Sequence, residues 1–150
     1  MSLTLHLGII EQNYTNSSGK SLKAAGRVVS TGDVAGYLEE RYHIYEHFFQ
    51  IHSGQIGDAI ADDMAGSLET MLMGGSTNLT LGTATSKIDA MFKKMLSERE
   101  LDQLGYPGIP TQAAKDGVNH RMKHPYAKRP ERPSFIDTGL YQASFKSWIE

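Results

Sequence analysis

A long apolar stripe in the first half of the chain dictates the architecture. Leu38, Tyr42, Tyr45 and Phe49 recur at spacings of four, three and four, and Ile56, Ile60, Met64, Leu68 and Leu72 continue at four. Only a helix puts such residues on one side. The steady spacing of four makes the stripe drift around the axis, so it should face several neighbours. The helical stretch is expected from about Val34 to Met73. Thr31-Gly32-Asp33 opens it, because a short oxygen side chain there accepts a first-turn N–H. Gly54 and Gly57 each cost about 1 kcal/mol relative to Ala. A break is therefore expected, giving helices over 34–52 and 55–73, with Gly74-Gly75 as the stop.

The flanks are read around that stripe. Leu3, Leu5, Leu7 and Ile9 alternate with Thr4, His6 and Gly8, the period of a half-buried strand. After the polar loop Asn13–Gly19, residues 24–30 are expected to return beside it, making an N-terminal β-hairpin. Beyond a loop over 76–84, Ser86 and Asp89 resemble a capping pair. Ile88, Met91, Phe92, Met95 and Leu96 then form an amphipathic face. This helix should end near Leu104-Gly105, before Pro107 and Pro110. A short helix over 111–123 starts near Thr111. Pro125, Pro130 and Pro133 forbid a helix and make 124–136 an extended basic arm. Asp137 is placed to cap a last helix over 137–150, with Leu140, Tyr141, Ser144, Phe145 and Trp148 along one face. The expected fold is mainly α with a small β element, an α+β chain. Its 150 residues form one domain: a hairpin or N-terminal arm (1–30), a helical core (31–104), a basic Pro-rich segment (105–136) and a C-terminal helix (137–150).

Composition removes several function classes. There is no cysteine, hence no disulfide scaffold, thiolate zinc site, Fe–S cluster or cysteine nucleophile. That usage fits a reducing cytoplasm. No apolar run is long enough for a transmembrane helix, so no membrane partner is expected. Met1–Ile10 lacks the basic and apolar regions of a secretory signal. The formal net charge of −2 argues against a general polyanion binder. The charge is nonetheless uneven. Residues 1–75 hold 4 basic and 9 acidic residues, and residues 76–150 hold 11 and 8. The surplus lies in 105–135, in Lys115, Arg121, Lys123, Lys128, Arg129 and Arg132. Such a dipolar chain suits head-to-tail packing of copies. The same stretch would serve contact with nucleic-acid phosphates, as in a DNA-packaging accessory, although it lacks interleaved aromatics.

Templates for catalysis are sparse. His43-Ile44-Tyr45-Glu46-His47 matches H-x-x-E-H, a zinc motif in which two histidines share a helix face and the Glu polarises a metal-bound water. It would make a small metal-dependent hydrolase, with His52 as the only well-placed downstream ligand. The surrounding Tyr42, Tyr45, Phe48 and Phe49 favour a packing role for these histidines. No phosphate loop, dinucleotide fingerprint or nucleophile elbow is present. The chain is accordingly expected to be non-enzymatic, without a metal or other cofactor.

The C-terminal third is the most distinctive part. The run Arg132-Pro133-Ser134-Phe135-Ile136-Asp137-Thr138-Gly139-Leu140-Tyr141-Gln142-Ala143-Ser144 resembles a segment of tailed-bacteriophage and prophage virion proteins. These are the neck, head–tail joining and tail-completion proteins. Asp-Thr-Gly also occurs in aspartic proteases, and the flanking Pro, Leu and Ser point to the virion family. The resemblance extends over 105–148 and, through Thr31-Gly-Asp-Val-Ala and the aromatic helix, over 28–104. It implies a structural protein of the virion, built in the host cytoplasm and placed at the head–tail junction. Copies would form a ring, six- or twelve-fold, around the DNA channel. Its neighbours would be portal, adaptor, tail-tube or terminator proteins, with non-specific contact to channel DNA. A baseplate or minor tail protein is the alternative within the virion. The expected contact residues are Pro125, Tyr126, Arg129, Arg132, Pro133, Phe135, Asp137, Thr138, Gly139, Leu140, Tyr141, Phe145 and Trp148. For Trp148, closing the protein's own core is the competing expectation.

Overall fold

The computed structural model describes residues 2–15, 18–76, 81–117 and 130–150. It is mainly helical with a small antiparallel β element, as the patterning requires. The first long helix, α1 (Thr31–Tyr42), opens on a reciprocal cap. The Ser30 hydroxyl accepts the Asp33 N–H at 3.2 Å, and the Asp33 carboxylate accepts the Ser30 N–H at 3.1 Å. These bonds to Ser30 hold the Asp33 carboxyl below its usual range.

The break in the long helical stretch falls at His43, not at Gly54 and Gly57. His43 takes the left-handed conformation (φ 51°, ψ 47°), and α2 (Ile44–Leu72) starts at once and runs unbroken through both glycines. The reason lies in Glu39. Its carboxylate accepts the N–H groups of Tyr45 and Glu46 at 2.8 and 3.3 Å, capping α2 from the preceding helix. Downstream, Phe48, His52, Ile56 and Ala59 are buried on one face. That packing outweighs the weak helix propensity of the two exposed glycines.

The same device starts α3 (Gly82–Ser97). The Asp63 carboxylate of α2 accepts the Ala84 N–H at 2.8 Å. Ser86 and Asp89 therefore lie inside α3 and form no cap, a correction to the sequence reading. Short helices α4 (Glu100–Gln103), α5 (Gln112–Asp116) and α6 (Leu140–Ser144) follow. Thr111 caps α5 by accepting the Ala114 N–H, and Gly117, in the left-handed region, closes it well short of residue 123.

Strand pairing departs most from expectation. β1 (Leu5–Ile9) does not pair with residues 24–30. It pairs antiparallel with β4 (Phe145–Ile149), the last stretch of the sequence, with Leu5 opposite Ile149 and Ile9 opposite Phe145. β2 (Lys23–Ala24) and β3 (Arg27–Val28) form a separate small hairpin. The chain just past β1 does run beside it, through the Asn13–Ser30 bridge. The expected helix over 137–150 is thus only α6, followed directly by β4. Phe145 and Ser147 alternate inward with Lys146 and Trp148 outward, the period of a strand.

The core forms where α2, α3 and β4 meet. Phe48, Phe92 and Phe145 are each fully buried. Phe92 and Phe145 stack at 3.9 Å, and Phe48 meets Phe92 edge-on at 5.3 Å. Burying one such ring contributes about 1.5–3 kcal/mol. Tyr45 and Tyr141 complete the cluster.

Candidate functional site

The H-x-x-E-H residues straddle the α1–α2 corner. His43 is the corner itself and contacts Glu46 at 3.4 Å, whereas His47 stacks flat on Tyr106 at 3.6 Å. His43 is the N-cap of α2 and its carbonyl accepts the His47 N–H at 2.9 Å, but the two rings are engaged by different side chains. His52 is bound elsewhere, to Gln55 and, at 3.1 Å, to Glu100. Among the described residues no group of three or more His, Asp or Glu is arranged to hold a metal ion. No described helix is long and apolar enough to cross a membrane.

Of the expected contact residues, Pro125, Tyr126 and Arg129 lie outside the described residues. The part of the arm that is described, 130–136, does not reach away from the domain. Arg99 donates to the Glu131 carbonyl at 2.8 Å. Ser134 is buried between the Asp102 carboxylate and the Thr111 N–H. The Arg132 N–H donates to the Ala114 carbonyl at 3.1 Å. Phe135 packs edge-on against Tyr42 at 5.1 Å. Pro133 and Phe135 are partly buried within that wrap. Polar groups of its own domain thus hold this stretch at these positions.

The Asp-Thr-Gly turn is also built differently. Asp137 does not cap α6; it pairs with Arg132 at 3.6 Å. The residue before α6 is Gly139, at φ 78°, and the Thr138 hydroxyl accepts the Leu140 N–H at 3.3 Å. Tyr141 and Phe145 are core residues, 4% and 0% exposed, and so cannot be contact residues.

Trp148 is the exception. It is 43% exposed on the outer face of the β1–β4 sheet, and it closes no core. Its ring stacks on His6 at 5.1 Å and 8° and lies over Gly8, where a Cβ would come within 2.9 Å of it. The indole N–H donates to Glu150.

The two edges of this sheet differ. On β4, the Asp89 carboxylate accepts both the backbone N–H and the hydroxyl of Ser147 at 2.8 Å. α3 thereby fastens that edge at Ser147. On β1, Thr4 and Glu150 exchange both backbone bonds, and Ile10 donates to Ser144. In the antiparallel register His6 and Gly8 must likewise face β4, which turns the N–H and C=O of Leu5, Leu7 and Ile9 outward. Among the described residues no group bonds to them.

A second exposed surface is the end of α2, which extends past the start of α3. Met64, Leu68, Met71, Leu72 and Met73 are 41–80% exposed there. The periodicity marked Met64, Leu68 and Leu72 as helical and apolar. It could not show that this end of the stripe lacks a cover. The Leu5–Leu7–Ile9 edge gave a strand signal, but its openness depends on where β4 pairs. No protein-family model, curated protein or solved structure matches the chain.

Proposed function

We propose that the chain is a structural protein of a tailed-bacteriophage virion, acting at the head–tail junction by assembling copies around the DNA channel. The observation that carries this reading is the apolar end of α2. Large contiguous apolar patches on a folded chain mark protein contacts, and this one spans Met64 to Met73. Methionines suit such a surface because their flexible side chains adapt to a partner. The uneven charge supports a head-to-tail arrangement, since no Lys or Arg occurs between Arg41 and Lys87 while the 105–135 stretch is basic. The Arg132–Ser144 run, which carries the resemblance to neck and tail-completion proteins, leads directly into β4. Its neighbours in this reading are portal, adaptor or tail-tube proteins.

The test is a Leu68→Ser, Leu72→Ser double variant. Both side chains are already exposed, so the melting temperature should stay within a few degrees of wild type. Heads and tails should accumulate unjoined. Normal particle yield with the double variant would remove the α2 end as the working surface.

A further inference from the structure

The open edge of β1 points to a specific partner. We infer that the free chain pairs with a second copy of itself, β1 against β1, across a two-fold axis at Leu7.

The backbone geometry comes first. Leu5, Leu7 and Ile9 present N–H and C=O groups with no partner among the described residues. Natural edge strands are usually protected by a charge, a proline or a bulge. The stretch Leu3-Thr-Leu-His-Leu-Gly-Ile-Ile10 has no formally charged residue and no proline, and its pairing with β4 is continuous, without a bulge. Leu5, Leu7 and Ile9 are only partly buried, whereas Phe145 and Ser147 on β4 are buried. The difference fits an uncovered edge.

The side chains then select the occupant. β4 lies against α3, whose Asp89 takes the Ser147 N–H, whereas the outward groups of β1 have no partner among the described residues. Joining two copies through the β1 edge means β1 to β1, antiparallel and two-fold. β1 is close to palindromic about Leu7. In that register Leu7 meets Leu7 of the second copy, Leu5 meets Ile9, and each opposed pair exchanges both backbone bonds. The inner face is then apolar throughout. On the outer face His6 meets Gly8 of the second copy, a large ring beside a residue with no side chain. Uncharged strands meet without like-charge repulsion.

This inference does not rest on the head–tail reading. A single head-to-tail ring contains no two-fold axis of this kind, so the pair is inferred for the free chain.

The test uses the whole chain. Light scattering at high concentration should give twice the 16.6 kDa chain mass, falling to one chain on dilution. Leu7→Pro removes only an outward N–H from the ladder, so a folded variant should show the single-chain mass. Amide exchange on the wild type covers the case in which that variant fails to fold. The Leu5, Leu7 and Ile9 amides should be slow at high concentration and fast when dilute, with His6 and Gly8 slow at both. A wild-type mass of one chain at high concentration would overturn the inference. So would a dimer that persists in folded Leu7→Pro, or Leu5, Leu7 and Ile9 amides that exchange fast at both concentrations.

Discussion

The Asp89 carboxylate in α3 accepts the backbone N–H of Ser147 in β4 at 2.8 Å, across 58 residues of sequence. The same oxygen takes the Ser147 hydroxyl, and the other takes the Lys146 ammonium at 2.9 Å. One side chain thus fastens the last strand to the helical layer. Asp89→Ala should leave the buried Ser147 N–H without its acceptor, while the hydroxyl can still donate to the Thr85 carbonyl at 3.0 Å, and destabilise the fold by about 1–3 kcal/mol. Asp89→Asn retains an acceptor and should lose less. Urea denaturation of both variants checks the order; equal stabilities would mean that β4 is held by packing alone.

The α1–α2 corner gives a paired prediction. Glu39→Ala removes the cap on α2 and should cost about 1 kcal/mol. His43→Gly should be neutral or stabilising by up to about 1 kcal/mol, because glycine adopts the left-handed conformation without strain. The His43–Glu46 contact is well exposed, so little is lost with it. Chemical denaturation measures both. A marked loss in His43→Gly would show that the imidazole itself holds the corner.

The corner also shows what the sequence could and could not reveal. The stripe from Leu38 to Leu72 fixed the helices because its period is local. The break at His43 depends on a carboxylate reaching forward from Glu39, which no local propensity score registers. The glycines at 54 and 57 signalled a break that the packed face from Phe48 to Ala59 overrides. At the other end of the fold, Leu5, Leu7 and Ile9 announced a strand by alternation. Its partner did not stand out, because Tyr141 and Phe145 are spaced as on a helix while 145–149 alternate as a strand. Asp137 looked like a cap by residue type, yet Gly139 supplies the turn and Arg132 takes the carboxylate.

Tyr141 supplies a pH-dependent prediction. Burial raises its phenol well above the ordinary tyrosine value, and burial likewise pushes Tyr45 up to about 12. Both folded-state values lie above the unfolded value, so the folded state holds these protons more tightly. The stability they contribute is complete below about pH 10 and falls as pH rises towards 12. Urea midpoints measured across that window should drop, and less steeply in Tyr141→Phe. At neutral pH Tyr141→Phe should change stability by about 1 kcal/mol or less, since the buried hydroxyl faces only the Tyr45 hydroxyl, without a well-formed hydrogen bond. A midpoint flat through pH 12 would contradict the account.

Trp148 separates stability from assembly. With 43% of its surface exposed and its ring resting on His6 and Gly8, Trp148→Ala should cost about 1 kcal/mol or less. In the proposed role the variant melts nearly as wild type yet joins heads to tails poorly, because exposed aromatics are frequent interface anchors. Gly8→Ala should displace the indole and red-shift its fluorescence without loss of helical signal. Unchanged particle assembly in Trp148→Ala would restrict that face to a structural part.

The composition of purified tailed particles tests the central proposal most directly. Gel analysis with mass-spectrometric identification should find this chain in intact virions at several copies per particle, and in the fraction that retains the head–tail junction after heads and tails are separated. Its complete absence from purified particles, with the chain abundant in the infected cell, would contradict the account.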